Sequence, residues 1–420
     1  MQIIMSRENR RSKTAETRAG IDRRQFMAGA GAAAMAFSIV RPQAVRGSQA
    51  NSKIAVGLCG CGDRGTWIAG LFMKHGGYQV VAGADYFEDK VNAFGEKLQV
   101  EPGRRYTGLS GYKRLLESKP DAIAVESPPC FHPEQAAAGV DAGVHVFLAK
   151  PVAVDVPGCR RVEESARKAT ASRLCFRVDF QTRMEPNYRE AVKRVQGGDI
   201  GAIISGEALY VCGPTWGGQA QFLRADPENP ENRLRAWGLD RALSGDIITE
   251  QNIHALDVAT WILDAHPVRA CGMCGRKGRD VGDCGDYFSV IYTFPDDLAL
   301  TFHSKQYGLG VDDIGCRMYG AEGTIDTHYF GEVNIKGKAP YDGGKTDNIY
   351  QKGAERNIAA FYDSITQGDF SNATAASSVR SNLTTILGRT AAYRRSEVTW
   401  DEMMKADEKL EPNLKGLKEL

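Results

Sequence analysis

Between Lys53 and about Arg177, short apolar runs alternate with amphipathic stretches. "KIAVGLCG", "YQVVAGAD", "DAIAVES", "HVFLAK" and "RLCFRVDFQ" are apolar on both faces, which predicts fully buried strands. Between them, the stretch after Gly65, residues 88–97, "PEQAAAGVDAG" and residues 155–170 carry helical spacing. Strands and helices that alternate in this way predict an α/β layout with a doubly wound parallel sheet covered on both sides.

From residue 178 the pattern changes. A helix over "PNYREAVKRVQGG" leads into a strand over "ISGEALYV" and then a long loop holding Trp216, Pro227, Pro230 and Trp237. "IITEQNIHALDVATWIL" reads as one helix. "DYFSVIYTF", "LALTFHSKQ" and "IGCRMYGAEGTIDTHY" follow with tight turns such as Pro295-Asp296-Asp297. Consecutive strands with so little helix between them predict a large open, mainly antiparallel sheet in a second α/β domain. Helical stretches at 355–368 and 373–395 close the chain. The expected domains are therefore 51–177 and 178–420, the second serving substrate binding and oligomerisation.

The first fifty residues differ in composition from the rest. Residues 1–24 are polar and basic and end in Arg23-Arg24; an Ala/Gly-rich apolar run follows over 27–40. That run is short of the roughly 20 apolar residues a membrane span needs. Ser48 and Ala50 supply the small residues a signal peptidase requires. Arg23-Arg24-Gln25-Phe26 resembles a twin-arginine signal. The expectation is a leader over 1–50, a mature chain from near Asn51, and export of folded protein by the twin-arginine machinery to the periplasm without stable membrane insertion. A net charge of +1 gives no electrostatic footprint for nucleic acid. All ten cysteines follow Asn51. Cys271-Gly-Met-Cys274 with Cys284 lacks a fourth ligand at zinc spacing, so no metal is expected.

The clearest chemistry lies in "GCGDRG", where Gly60, Gly62 and Gly65 have G-x-G-x-x-G spacing between a predicted strand and a predicted helix. The first glycine allows the tight turn, the second lets a pyrophosphate approach the backbone, and the third lets helix pack on strand. Asp63 and Arg64 in the same loop are cofactor-binding candidates, facing the helix N-terminus that attracts phosphate. Asp85 ends the second strand about 20 residues beyond the loop, where a carboxylate accepts from an adenosine ribose diol and repels a 2′-phosphate. No arginine stands beside it, so NAD is expected rather than NADP.

With these residues in place, the chain resembles the glucose–fructose oxidoreductase / inositol dehydrogenase / MocA family. The resemblance rests on the glycine loop, on "ESPPCFHPEQAAAGVDAGVHVFLAKPVAVD", on "EPNYREAVKRVQGGDIGAI" and on "SGDIITEQNIHALDVATWIL". It implies a dinucleotide-binding domain followed by a domain with a large open sheet. It also implies hydride transfer between NAD and a sugar or cyclitol. The family's E-K-P motif falls on Ala149-Lys150-Pro151, which departs at the glutamate. The resemblance gives Lys150 a place beside nicotinamide and substrate hydroxyl, and suggests a cis bond before Pro151. The family's D-x-x-x-H falls on Glu250-x-x-x-His254, with glutamate for aspartate. Lys150, His254 and Glu250 are thus the catalytic candidates. Spacing of four would put Glu250 and His254 on one helix face, and Asp257 one turn on would fix the tautomer of His254.

Further cofactor-binding candidates are Ser127, Pro128 and His132 after the fourth strand. Arg183, Asn252, Trp237 and Tyr307 are candidates for the substrate. The expected activity is NAD-dependent oxidation or reduction of a CH–OH group on a sugar, with tightly bound cofactor because no NAD pool is expected outside the cytoplasm. A redox-neutral glycosidase working by transient oxidation and elimination, and a non-catalytic NAD-binding protein, are the alternatives. A homo-oligomer, dimer or tetramer, is expected.

Overall fold

Parallel pairing of the first-half strands builds a six-stranded sheet in the computed structural model, which describes residues 53–419. The predicted leader lies outside the described residues. The elements run β1 (Ile54–Cys59), α1 (Asp63–His75), β2 (Tyr78–Asp85), α2 (Glu88–Leu98), β3 (Arg105–Thr107), α3 (Gly111–Glu117), β4 (Ala122–Val125), α4 (His132–Asp141), β5 (His145–Ala149), α5 (Val156–Ala171) and β6 (Phe176–Asp179). The order β3-β2-β1-β4-β5-β6 reverses direction between β1 and β4, the point at which such sheets bind a dinucleotide. β4 and β5 are almost wholly buried, as their unbroken apolar runs require. α1 stops where Gly76 takes a left-handed conformation, φ 83°. α5 starts where the Asp155 side chain accepts from Gly158 N at 2.8 Å, with Pro157 in its first turn.

The second half continues through α6 (Pro186–Gln196), β7 (Ile203–Val211), the short helices α7 (Ala220–Ala225), α8 (Pro230–Arg235), α9 (Arg241–Ser244) and α10 (Asp246–Glu250), and α11 (Ile253–Leu263). Strands β8 (Arg269–Gly275), β9 (Tyr287–Thr293), β10 (Ala299–Lys305), β11 (Asp313–Gly320), β12 (Gly323–His328), β13 (Glu332–Gly337) and β14 (Tyr341–Lys345) follow, then α12 (Ile349–Gln367), α13 (Thr374–Arg394), β15 (Val398–Thr399) and α14 (Trp400–Ala406). The nine strands order as β14-β13-β12-β11-β7-β10-β9-β8-β15. Every pair is antiparallel except β7 with β10. Alternation sets the faces: Leu300, Phe302 and Ser304 of β10 point into the core, while Thr301 and His303 point out. α11 and α13 cover the inner face.

Two features depart from the sequence reading. The single helix expected over "IITEQNIHALDVATWIL" is divided after Glu250. Asn252 N bonds Ile247 O at 2.9 Å, five residues back, so the turn is widened by one residue. Buried polar side chains hold it open: Tyr210 donates to Gln251 Oε1 at 2.7 Å and Asn252 Nδ2 donates to Gln306 Oε1 at 3.2 Å. The second departure is α12, which returns to the first sheet. Phe361 packs edge-on to Phe147 with centroids 5.6 Å apart and shares a core with Phe72, Phe94 and Tyr78. The first domain's core is thus completed by Phe361, 214 positions beyond Phe147.

Residues 212–240 cross from β7 to the first sheet. Arg235 pairs with Asp89 at 2.7 Å and lies 3.8 Å above the Phe87 ring. Tyr86 donates to Glu231 at 3.0 Å. The C-terminal tail ends on the same corner, where Leu109 N bonds Lys418 O at 3.0 Å. Among the described residues, no helix is long and apolar enough to cross a membrane.

Candidate active site

A cleft of about 950 Å³ opens at the carboxyl ends of β1, β2, β4 and β5 and runs beneath the 212–240 crossing to Glu250, His254 and Tyr329. Its floor is the glycine loop. Gly60 has φ +95°, and a Cβ there would stand 2.5 Å from Ser127 N. A Cβ on Gly65 would meet Gly60 O at 1.9 Å, so only glycine lets α1 start this close to β1. At Gly62 nothing lies within 4 Å of the corresponding position, so the backbone there is open to the cleft. Pinched glycines on either side of an open one suit a pyrophosphate over a helix N-terminus. Asp63 and Arg64 also line the cleft.

Asp85 closes one end. Its Oδ2 accepts from Cys61 N at 2.7 Å and its Oδ1 from Phe87 N at 2.9 Å. Burial pushes its pKa up, against these two N–H groups. The carboxylate therefore braces the glycine loop from the position that takes a ribose diol in dinucleotide-binding folds, and each oxygen keeps a second lone pair.

At the other end, Lys150 is 8% exposed and its Nζ donates to Glu250 O at 2.7 Å and to Glu250 Oε1 at 3.1 Å. Burial pushes its pKa down, with the Glu250 carboxylate pulling the other way. The Lys150–Pro151 peptide bond is cis. His254 packs edge-on to Tyr329 at 5.7 Å. Burial first, then Lys150 and Arg64, holds its pKa well below the ordinary range, so the ring is neutral. The divided helix still brings Glu250 and His254 to the same cleft. Asp257 does not serve His254. Its Oδ1 accepts from Arg183 Nη2 at 2.8 Å and from Ser381 at 2.7 Å, while His254 Nδ1 is buried without a partner.

Ser127, Pro128 and Trp237 also line the cleft, whereas His132, Arg183, Asn252 and Tyr307 do not. His132 is buried beneath, its ring nitrogens 2.7 Å from Pro151 O and Ser127 O. Burial lowers its pKa to about 4, so the neutral ring donates to one of these carbonyls and ties the β4 loop to the Lys150–Pro151 turn. Arg183 is spent on Asp257. Tyr307 is 43% exposed and rests against Gly278.

Among the residues of the cleft, Glu126, Trp67 and Tyr350 escaped the sequence reading. Arg64 reaches Glu126 Oε2 at 3.0 Å, Asp179 Oδ2 at 2.8 Å and the Tyr350 hydroxyl at 2.9 Å. Trp67 stacks on Tyr350 with centroids 4.7 Å apart. Trp216, beside Trp237 at 4.9 Å, buries its Nε1 without a partner. Glu126 was visible as an acid at the end of an apolar strand, as Asp85 and Asp179 are; Trp67 and Tyr350 come from distant segments and share no local signal. All ten cysteines are free thiols. Cys271 and Cys274 of β8 face opposite sides of the sheet, one exposed and one buried, as a spacing of three in a strand dictates.

Known proteins match this architecture. Residues 54–175 match the family described as "Oxidoreductase family, NAD-binding Rossmann fold" and residues 188–326 match the "GFO/IDH/MocA C-terminal domain". The inositol 2-dehydrogenase 3 of Saccharopolyspora erythraea is 26% identical over 220 residues, 51% of this chain and 57% of that protein. The D-glucoside 3-dehydrogenase of Escherichia coli is 24% identical over 274 residues, 62% of this chain and 70% of that one. The crystal structure of a Lactobacillus casei scyllo-inositol dehydrogenase with bound NAD(H) and scyllo-inositol superimposes with a TM-score of 0.66 at 18% identity, covering 83% of this chain and all of that one.

Proposed function

The chain belongs to the Gfo/Idh/MocA oxidoreductase family and carries its NAD-binding Rossmann domain, and from that premise we propose that it is an NAD-dependent dehydrogenase of a secondary hydroxyl on a sugar or cyclitol. The observation that carries this reading is the buried amine of Lys150 at the cleft, held by Glu250. A neutral amine has two N–H donors and one lone pair. Both donors are taken by Glu250, so the lone pair is left to take the proton of a substrate hydroxyl. The Glu250 carboxylate then stabilises the ammonium that results. His254, neutral and with Nδ1 unpartnered, fixes the hydroxyl or a neighbouring one. NAD supplies the hydride acceptor when bound.

His254 Nδ1 and Trp216 Nε1 are buried polar atoms of this cleft without a partner among the described residues. With the facing rings of Trp216, Trp237 and Tyr329, they favour a ligand that is polyhydroxylated on its edges and apolar on its faces, which is the chemistry of a pyranose or cyclitol. The inositol and glucoside dehydrogenases among the relatives support the same substrate class. A screen of cyclitols and glycosides for reduction of bound NAD tests it.

Tight cofactor retention and export belong to the same proposal. The 212–240 crossing and the tail at Lys418 lie over the corner where Asp85 would receive an adenosine ribose, which supports slow release. Retention fits a protein that folds around NAD and leaves by the twin-arginine route. Replacing Arg23-Arg24 by two lysines then keeps it in the cytoplasm. Self-association is proposed on the outer face of the nine-stranded sheet, where Met273, Ile291 and Tyr319 are exposed; light scattering checks it.

A further inference from the structure

Three parallel strands end side by side at the Lys150 end of the cleft. β4 and β5 pair Val125 with Leu148, so the next step sets Glu126 beside Ala149. β5 and β6 pair Ala149 with Asp179. Two carboxylates thus flank an alanine, all on one face, at the carboxyl edge of the sheet. Arg64 reaches in from the glycine loop and binds both, at 3.0 Å and 2.8 Å. Its guanidinium thus joins the carboxylates on either side of Ala149.

The two carboxylates are not equivalent. Asp179 uses both oxygens: Oδ2 accepts from Arg64 and Gln181, and Oδ1 from Asn357 at 2.8 Å. Glu126 is as deeply buried, with a side-chain exposure of 0%, yet only Oε2 is bonded. Oε1 has no partner, although the residue lines the cleft. A buried acceptor without a donor is costly and is normally satisfied by something. Burial also raises the Glu126 pKa to about 7, against the pull of Arg64, which is the state of a carboxylate short of donors.

The donor has to be a neutral hydroxyl or amide, because a phosphate or carboxylate would be repelled. Its position follows from the two-half design of the sheet. Asp85, at the end of β2, serves one nucleoside; β4 to β6, across the reversal point, serve the other. We propose that Glu126 Oε1 accepts a hydrogen bond from a ribose hydroxyl of the nicotinamide half of NAD. It thereby provides from β4 the carboxylate that β5 lacks at Ala149. Glu126 is a binding residue that sets the nicotinamide ribose beside Lys150; it takes no proton from the substrate.

The inference rests on NAD as the occupant of the cleft, and the test separates the two. Whole protein, freed of any bound nucleotide, is titrated calorimetrically with NAD and with ADP, which has adenosine and two phosphates but no second ribose. Glu126→Met keeps the volume and leaves Arg64 paired with Asp179. The expected result is a loss of about tenfold in NAD affinity, the scale of one hydrogen bond to a charged group, with ADP affinity unchanged. Equal losses for both nucleotides, or no loss for NAD, overturn the role of Glu126. If Glu126→Met does not fold, Glu126→Asp, which keeps the charge toward Arg64 and withdraws the second oxygen, is judged by the same ratio. Wild-type protein that binds neither nucleotide overturns the NAD premise itself.

Discussion

In the proposed reaction Lys150 is the base, and its surroundings favour that role. Burial disfavours the ammonium, Glu250 occupies both amine hydrogens, and the lone pair is left over. The glutamate at 250, where the family has aspartate, is long enough to present Oε1 to Lys150 while its backbone carbonyl does the same. A residue of opposite behaviour sits on the outer sheet face. His328 lies 2.7 Å from Asp313 and 3.2 Å from Asp326, and its pKa is raised to about 9 by the hydrogen bond to Asp326, with Asp313 adding to it. A raised folded-state pKa stabilises fully below the ordinary value of about 6.5, and the contribution is lost as pH rises through about 9. His328→Gln is therefore expected to flatten the fall in melting temperature between those limits. A variant that loses stability with pH as steeply as wild type contradicts the assignment. The pair is partly exposed, so the effect is small.

Among the elements, those with a strong period were legible and those set by distant contacts were not. β1, β2, β4, β5 and β6 were readable as apolar runs because a parallel sheet buries both faces, and the glycine loop because its chemistry is local; the three-residue β3, Arg-Tyr-Thr and only half-buried, was not. The division between α10 and α11 was not legible, because Gln251 and Asn252 find their partners in Tyr210 and Gln306. β13 and β14 were missed for a related reason: "YDGGK" has little strand propensity and is held by pairing with β13. The role of α12 was hidden too, since amphipathic spacing shows a buried face but not which sheet it meets. Phe361, 0% exposed, makes that last point testable. Phe361→Ala is expected to cost about 3–5 kcal/mol, the range for a buried Phe. It is expected to lower NAD binding as the first domain loosens. Loss of stability confined to the second domain in hydrogen exchange would contradict the packing.

At the level of the whole molecule, residues 212–240 and the tail join the second domain to the adenosine corner of the first. Arg235 is the main tie, through Asp89 and Phe87. Arg235→Ala is expected to speed NAD release by about tenfold, since changes at a formed interface act mostly on the off-rate. Equal release from variant and wild type, followed by fluorescence of the reduced cofactor, would show that the crossing does not hold it. The substrate side was legible only as candidates. Lys150, Glu250, His254 and Trp237 reached the cleft, while Arg183 and Asn252 turned inward to buried partners of their own. Polar residues near a site are as often its supports as its contacts, and sequence spacing does not separate the two.

Lys150 is proposed to take the hydroxyl proton of a cyclic polyol while hydride passes to NAD. Stopped-flow absorbance of bound NAD, on mixing with inositols and glucosides, tests it most directly. At least one of these polyols is expected to reduce the cofactor. Lys150→Ala, still folded and still binding NAD, is expected to do so at least about a hundredfold more slowly. A Lys150→Ala protein that reduces NAD at the wild-type rate, or a wild-type protein that no polyol reduces, would contradict it.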